Sequence, residues 1–183
     1  MSKKRVTINV GHHRFAKGAF SEETGLYEWD INSILARKIK DKLTMFEVKI
    51  MSAHYKILPM LINATKPDLI VSMHCNAFNK RASGREFLYY SGSSKSKEIA
   101  GIFNSYFGFL GNKDRGLKAL KKGDRGYAVV KKTRAPCIIA EPCFIDNKKD
   151  FLRFLDLQDH VVNAYVDAII HSLNIIEFKG WKK

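Results

Sequence analysis

Pro67-Asp68-Leu69-Ile70-Val71-Ser72-Met73-His74-Cys75-Asn76 is the stretch that decides the fold of this chain. Leu69 to Met73 is almost unbroken in apolar residues, short enough for a strand, and bounded by proline and aspartate before it and by polar residues after it. A strand with one wet face alternates polar and apolar side chains, whereas a continuous run marks a strand covered on both faces, as in the middle of a parallel sheet. Val6 to Val10 is a second β-rich run, closed by Gly11, and Cys137 to Ala140 is a third. Glu47 to Met51, with Val48 and Ile50 alternating, and Glu86 to Tyr90 complete the expected strands.

Between these runs the periodicity becomes helical. From about Tyr27 to Leu43, the residues Ile31, Ile34, Leu35, Ile39 and Leu43 recur at helical spacing. Ser94 to Leu110 carries Ile99, Ile102, Phe103, Tyr106, Phe107 and Leu110 on one stripe, with Ser94 or Ser96 able to cap it and Gly111 to stop it. Tyr55 to Ala64 reads as helical, with Pro59 marking a kink or a first turn. Lys149 to about Ile176 supplies one or two closing helices, and a loop rich in glycine and charge is expected after Gly111. The order β-α-β-α-β, then β-α-β-α, predicts an α/β fold with a twisted, mostly parallel sheet and helices packed on both faces. One domain over residues 1–176 and a basic tail over 177–183 are expected.

The length of 183 residues suits one domain that buries roughly 70% of its unfolded surface without disulfide staples. Cys75, Cys137 and Cys143 are odd in number, lack C-x-x-C spacing and sit in or beside apolar runs, which predicts buried free thiols and a reducing compartment. The basic start Met1-Ser2-Lys3-Lys4-Arg5 is followed only by Val6 to Val10, too short for the core of a signal peptide. No stretch approaches the roughly 20 apolar residues that cross a bilayer, so no transmembrane segment is expected. The net charge of +14, densest in Lys113 to Arg134 and Lys179 to Lys183, implies an anionic partner. Nucleic acid, anionic lipid and anionic wall polymer satisfy that electrostatics equally.

In open α/β sheets the functional crevice lies outside the carboxyl ends of the strands. His12, His74 and Glu141 each follow an expected strand, and Glu28 sits in the first turn of the first helix. Two imidazoles and one carboxylate are a ligand set with which proteins hold catalytic zinc while leaving a fourth position open, so the constellation points to metal-assisted hydrolysis. Each residue also has a plainer reading. A histidine after a strand often caps or packs, and a first-turn glutamate complements the helix dipole. A glutamate at the end of an apolar run is harder to explain without a partner or a task. His13, His54, His160 and His171 compete with the chosen pair, and neither H-E-x-x-H nor C-x-x-C is present.

Four segments together resemble a known family. Ile8-Asn9-Val10-Gly11-His12, Gly25-Leu26-Tyr27-Glu28-Trp29-Asp30-Ile31-Asn32, Asp68 to Ala77, and Ile139-Ala140-Glu141-Pro142-Cys143-Phe144-Ile145-Asp146-Asn147 are similar, in order, to the four blocks of the zinc-dependent N-acetylmuramoyl-L-alanine amidases of the Amidase_3 type. The resemblance implies that His12, Glu28 and His74 bind Zn2+, and that Glu141 is the catalytic acid/base. It implies as substrate the amide between the lactyl group of muramic acid and L-alanine in peptidoglycan. Of Glu22, Glu23 and Glu28, the Asp30-Ile31-Asn32 pattern favours Glu28.

The chain departs from the family pattern where the first block commonly reads Asp-Pro-Gly-His-Gly: here Asn9, Val10 and His13 surround Gly11-His12. The hydrogen-bonding shell that orients the histidine is thereby changed. An arginine often found after the second strand is absent, with Ser52 near its place. A phage-type lysin that stays in the host cytoplasm until lysis and then acts at the cell wall is the expected role. A bacterial wall-remodelling amidase comes next. A non-catalytic basic module binding nucleic acid or wall polymer, and a zinc peptidase or deacylase, are the alternatives from other classes. No specific nucleic-acid partner is expected, and no oligomeric state follows from the sequence.

Overall fold

The computed structural model describes residues 3–181; Met1, Ser2, Lys182 and Lys183, at the ends of the expected basic N-terminus and basic tail, lie outside them. The expected strands are present as β1 (Arg5–Val10), β2 (Glu47–Met51), β3 (Leu69–Met73), β4 (Arg85–Tyr90) and β6 (Cys137–Glu141), joined by an unexpected β5 (Asp114–Leu120). They form a single sheet in the order β2-β1-β3-β6-β4-β5. β2, β1, β3 and β6 run parallel, β4 is antiparallel to β6, and β5 is parallel to β4. β3, the strand with the unbroken apolar run, lies in the interior of the sheet with all five residues buried.

The helices are α1 (Glu28–Lys42), α2 (Leu58–Ala64), α3 (Ser94–Tyr106), α4 (Tyr127–Lys132), α5 (Lys148–Asp156) and α6 (Gln158–Phe178). α3 is capped by Ser93, whose hydroxyl accepts from the Ser96 amide, rather than by Ser94 or Ser96. The stripe beyond it continues as a 3-10 turn, Gly108–Leu110, ended by Gly111. α2 starts at Leu58, with Pro59 in its first turn, where the missing N–H costs nothing.

The segment after Gly111 is not the loop the sequence suggests. It forms β5 and α4. β5 is an edge strand carrying Asp114, Arg115, Gly116 and Lys118, and such charged edges hide their period from the sequence while discouraging intermolecular pairing.

The sheet separates two cores. Val6, Ile8, Val10, Leu69, Val71, Met73, Phe87, Ile138 and Ala140 face α1, α3 and α6 in the larger one. Ile70, Cys137 and Ile139 face α2 and α4 in a smaller one, with Leu58, Ile62, Val129 and Val130. Cys75, Cys137 and Cys143 are all buried and free. α6 runs on to Phe178, and Trp181 packs partly buried against the larger core. Among the described residues no helix is long and apolar enough to cross a membrane.

Candidate metal centre and its acid

Parallel pairing of β1, β3 and β6 brings the residues that follow them to one edge. The Gly11 amide donates to the Met73 carbonyl (2.9 Å), and the His74 amide to the Ala140 carbonyl (3.0 Å). The His74 ring lies directly over Gly11: a Cβ there would stand 2.3 Å from Cε1, so only glycine allows the ring its position.

His12 follows with φ 66°, a left-handed conformation that costs a non-glycine residue on the order of 1 kcal/mol. Two bonds hold it there. The Ser52 hydroxyl donates to the His12 carbonyl (2.9 Å), and the Trp29 indole N–H donates to Ser52 Oγ (3.0 Å). The serine that stands near the family's arginine position thus locks the strained histidine.

Glu28 is the first residue of α1 and is almost fully buried. Its Oε1 lies 2.8 Å from His74 Nδ1 and its Oε2 lies 3.0 Å from His12 Nε2. Backbone amides fix the carboxylate: Cys75 N–H donates to Oε1 (3.1 Å) and Ala19 N–H to Oε2 (3.4 Å). Gly18 lets the chain pass beneath, since a Cβ there would fall 2.5 Å from His12 Cδ2 and 2.7 Å from Glu28 Oε2. Burial pushes the Glu28 carboxyl up, but the hydrogen bonds of His12 and His74 and their charges outweigh it and hold it well below the usual carboxylate range. Burial pushes His74 down, and its bond to Glu28 more than reverses that.

Among the described residues His12, Glu28 and His74 form a cluster of possible metal donors, each offering one atom within 4.8 Å of the others. The donor set suits zinc. Two neutral imidazoles and an ionised carboxylate are among the donor sets that would hold it. A carboxylate held ionised here by its partners is the form that binds.

Glu141 ends β6 on the same edge. Its Oε2 is buried without a hydrogen-bond partner. Burial pushes its carboxyl up to about 7, the charges of Glu28 and Glu86 add to this, and those of His74 and Arg125 oppose it. Glu86 lies opposite it in the β4–β6 pair but is fully occupied, accepting from Asn76 Nδ2 (2.7 Å) and Arg115 Nε (2.7 Å). Of this pair, Glu141 is therefore the acid with a buried, unpaired oxygen.

A family model for N-acetylmuramoyl-L-alanine amidase, Amidase_3, matches residues 6–171. The chain belongs to this amidase family. It is 28% identical to the endolysin of Bacillus phage SPP1, over 97% of this chain and 69% of that protein, and 29% identical to the uncharacterized protein YqiI of Bacillus subtilis, over 93% and 84%. In structure it resembles the catalytic domain of the amidase CwlV from Bacillus (Paenibacillus) polymyxa, with a TM-score of 0.82 and 26% identity over 93% of this chain and 98% of that one.

The amidase chain brings all four expected site residues to one place and leaves the competing histidines elsewhere. His13 turns to His54 and Phe15, with ring centroids 6.2 and 6.4 Å away. His160 and His171 lie on α6, near Phe109 and Tyr106. Glu22 and Glu23 pair instead with Lys80 and Lys148. Asn9, at the family's aspartate position, donates to Ser72 Oγ (2.7 Å) across the β1–β3 pair and makes no bond to His12. Sequence reasoning passes over Gly18, the locking role of Ser52, and the Asn76–Glu86–Arg115 chain. Asn76 stands inside the third block, but its partner on β4 depends on the antiparallel pairing, which leaves no local signal.

Proposed function

We propose that this peptidoglycan amidase is zinc-dependent, that His12, Glu28 and His74 hold the ion, and that Glu141 is its catalytic acid/base. The observation that carries the reading is the convergence of two imidazoles and one buried carboxylate beside a second carboxyl with no partner of its own. Zinc bound there supplies a Lewis acid for the scissile carbonyl and lowers the pKa of water to about 7. Glu141 accepts a proton from the attacking water as its oxygen bonds the carbonyl carbon. It then delivers that proton to the L-alanine nitrogen as the C–N bond breaks, so one carboxyl serves both halves of the reaction. The Cys75 and Ala19 amides keep the Glu28 carboxylate from rotating away from the histidines.

The likeness to a phage endolysin over nearly the whole chain, together with three buried free thiols, supports a lysin that resides in the host cytoplasm until lysis and then acts at the wall. The net charge of +14 supplies attraction to an anionic wall that added salt should weaken.

The test is turnover of purified peptidoglycan with a chelator and after zinc is restored. New L-alanine amino termini without new reducing sugar ends, lost with the chelator and recovered with zinc, are expected. Undiminished cleavage in chelator would overturn the zinc assignment.

A further inference from the structure

One set of side chains beside the site has no part in the chemistry above. His13 follows His12 directly, and the turn it opens is closed by paired bonds between His13 and Ala16 (3.2 and 2.8 Å). Phe15 stands at the tip of that turn, 82% exposed, with the Arg14 guanidinium 4.5 Å from its ring centre. The loop after β2 supplies the rest: His54 lies 6.2 Å from His13, and Tyr55, 62% exposed, lies 4.5 Å from His54. The two loops are tied together by the Ser52 bond to the His12 carbonyl. His54 Nδ1 accepts from the Lys56 amide (3.4 Å), so in the neutral ring the other nitrogen carries the proton and is free to donate.

Four rings thus form a wall that begins at the residue following His12. Phe15 and Tyr55 leave large apolar faces in water, which a bound ligand can cover. The wall combines flat apolar faces with hydrogen-bonding edges on His13, His54 and Tyr55. A pyranose ring requires both, since it presents C–H faces above and below and hydroxyl or acetamido groups around its rim.

The opposite flank is built differently. The far end of the β1–α1 loop, with Phe20, Ser21, Glu22 and Glu23, and the loops after β3 and β6, with Lys80, Asp146 and Lys148, line a cavity of about 190 Å³. Its five charged side chains suit a zwitterionic peptide better than the face of a sugar. The wall is built from the start of the β1–α1 loop and the loop after β2, the cavity from the end of the β1–α1 loop and the loops after β3 and β6. In the strand order β2-β1-β3-β6 the proposed zinc site, held from β1 and β3, falls between those outer loops.

We infer that His13, Phe15, His54 and Tyr55 form a saccharide subsite that receives the muramoyl ring, fixing which way the substrate lies across the site. The inference rests on the amidase reading, because it places the sugar one lactyl unit from the reacting carbonyl.

The triple variant Phe15→Ala, His54→Ala, Tyr55→Ala tests it, with three probes. Peptide-free glycan strands should bind the unaltered protein saturably and the variant at least about tenfold more weakly. With N-acetylmuramoyl-L-alanyl-D-isoglutamine, KM should rise about tenfold while kcat stays within about twofold. The preference for that compound over sugar-free D-lactoyl-L-alanyl-D-isoglutamine should collapse. Glycan affinity unchanged by the triple substitution, or equal losses on both peptides, would overturn the subsite. If the unaltered enzyme with zinc leaves the muramoyl amide intact, the amidase reading fails; the glycan titration involves no cleavage and still decides the wall.

Discussion

The two faces of the sheet are covered unequally, and Glu141 lies on the thinner side. Towards α1, α3 and α6 the strands present Val6, Ile8, Val10, Leu69, Val71, Met73, Phe87, Ile138 and Ala140, a broad apolar surface. Towards the short helices α2 and α4 the same strands alternate to Thr7, Asn9, Ser72, Glu86 and Glu141 among Ile70, Cys137 and Ile139. α2 and α4 span only seven and six residues and cannot cover the whole face. The heavily packed side holds the strands in register. The lightly packed side can then carry buried polar groups whose placement depends on that register.

The largest effect should come from the thin face. Glu141→Gln keeps the shape of the side chain and removes its proton chemistry, so kcat should fall by about 10²–10⁴ while zinc content stays near that of the unaltered enzyme. Amidase activity retained in that variant would move the acid/base role elsewhere. On the thick face Phe103, fully buried between Phe87 and Tyr165, should behave in the opposite way. Phe103→Ala should cost about 3–5 kcal/mol in urea unfolding and leave kcat of the folded fraction unchanged. A large drop in kcat without loss of stability would show that the two faces are not functionally separate.

The same division explains what could be read from the sequence. The thick face is written in long periodic signals: the apolar runs of β1, β3 and β6 and the helical stripes of α1, α3 and α6 locate most of the fold and place His12, His74 and Glu141 after strands. Glu28 is legible because it opens α1. The thin face has only short or broken signals. α4 spans less than two turns, and β5 mixes charge and glycine along an edge, so neither stands out by periodicity. The reversal of β4, which brings Glu86 opposite Glu141, follows from packing over long sequence separations. The hold of Ser52 on His12 depends on a backbone angle that residue types alone do not reveal.

A smaller effect would test how dry the thin face is at Glu141. Burial raises that carboxyl from 4.5 to about 7 in the folded chain. Between those values the folded state keeps a proton that the unfolded state has lost, so this residue's contribution to stability falls as pH rises through the window. Above it the penalty reaches about 3 kcal/mol, from 1.36 kcal/mol per unit. His74 acts in the same sense, since a raised histidine stabilises at low pH and loses that contribution as pH climbs, whereas the lowered Glu28 loses its contribution only as pH falls below 4.5. Comparing the unaltered protein with Glu141→Gln, both in chelator, separates Glu141 from these two. The glutamine variant should be the more stable by about 3 kcal/mol at pH 8, with the gap closing towards pH 4.5 in urea unfolding. A gap that stays constant across the window would mean that water reaches the carboxyl and that the thin face is open at the point where the proton is exchanged.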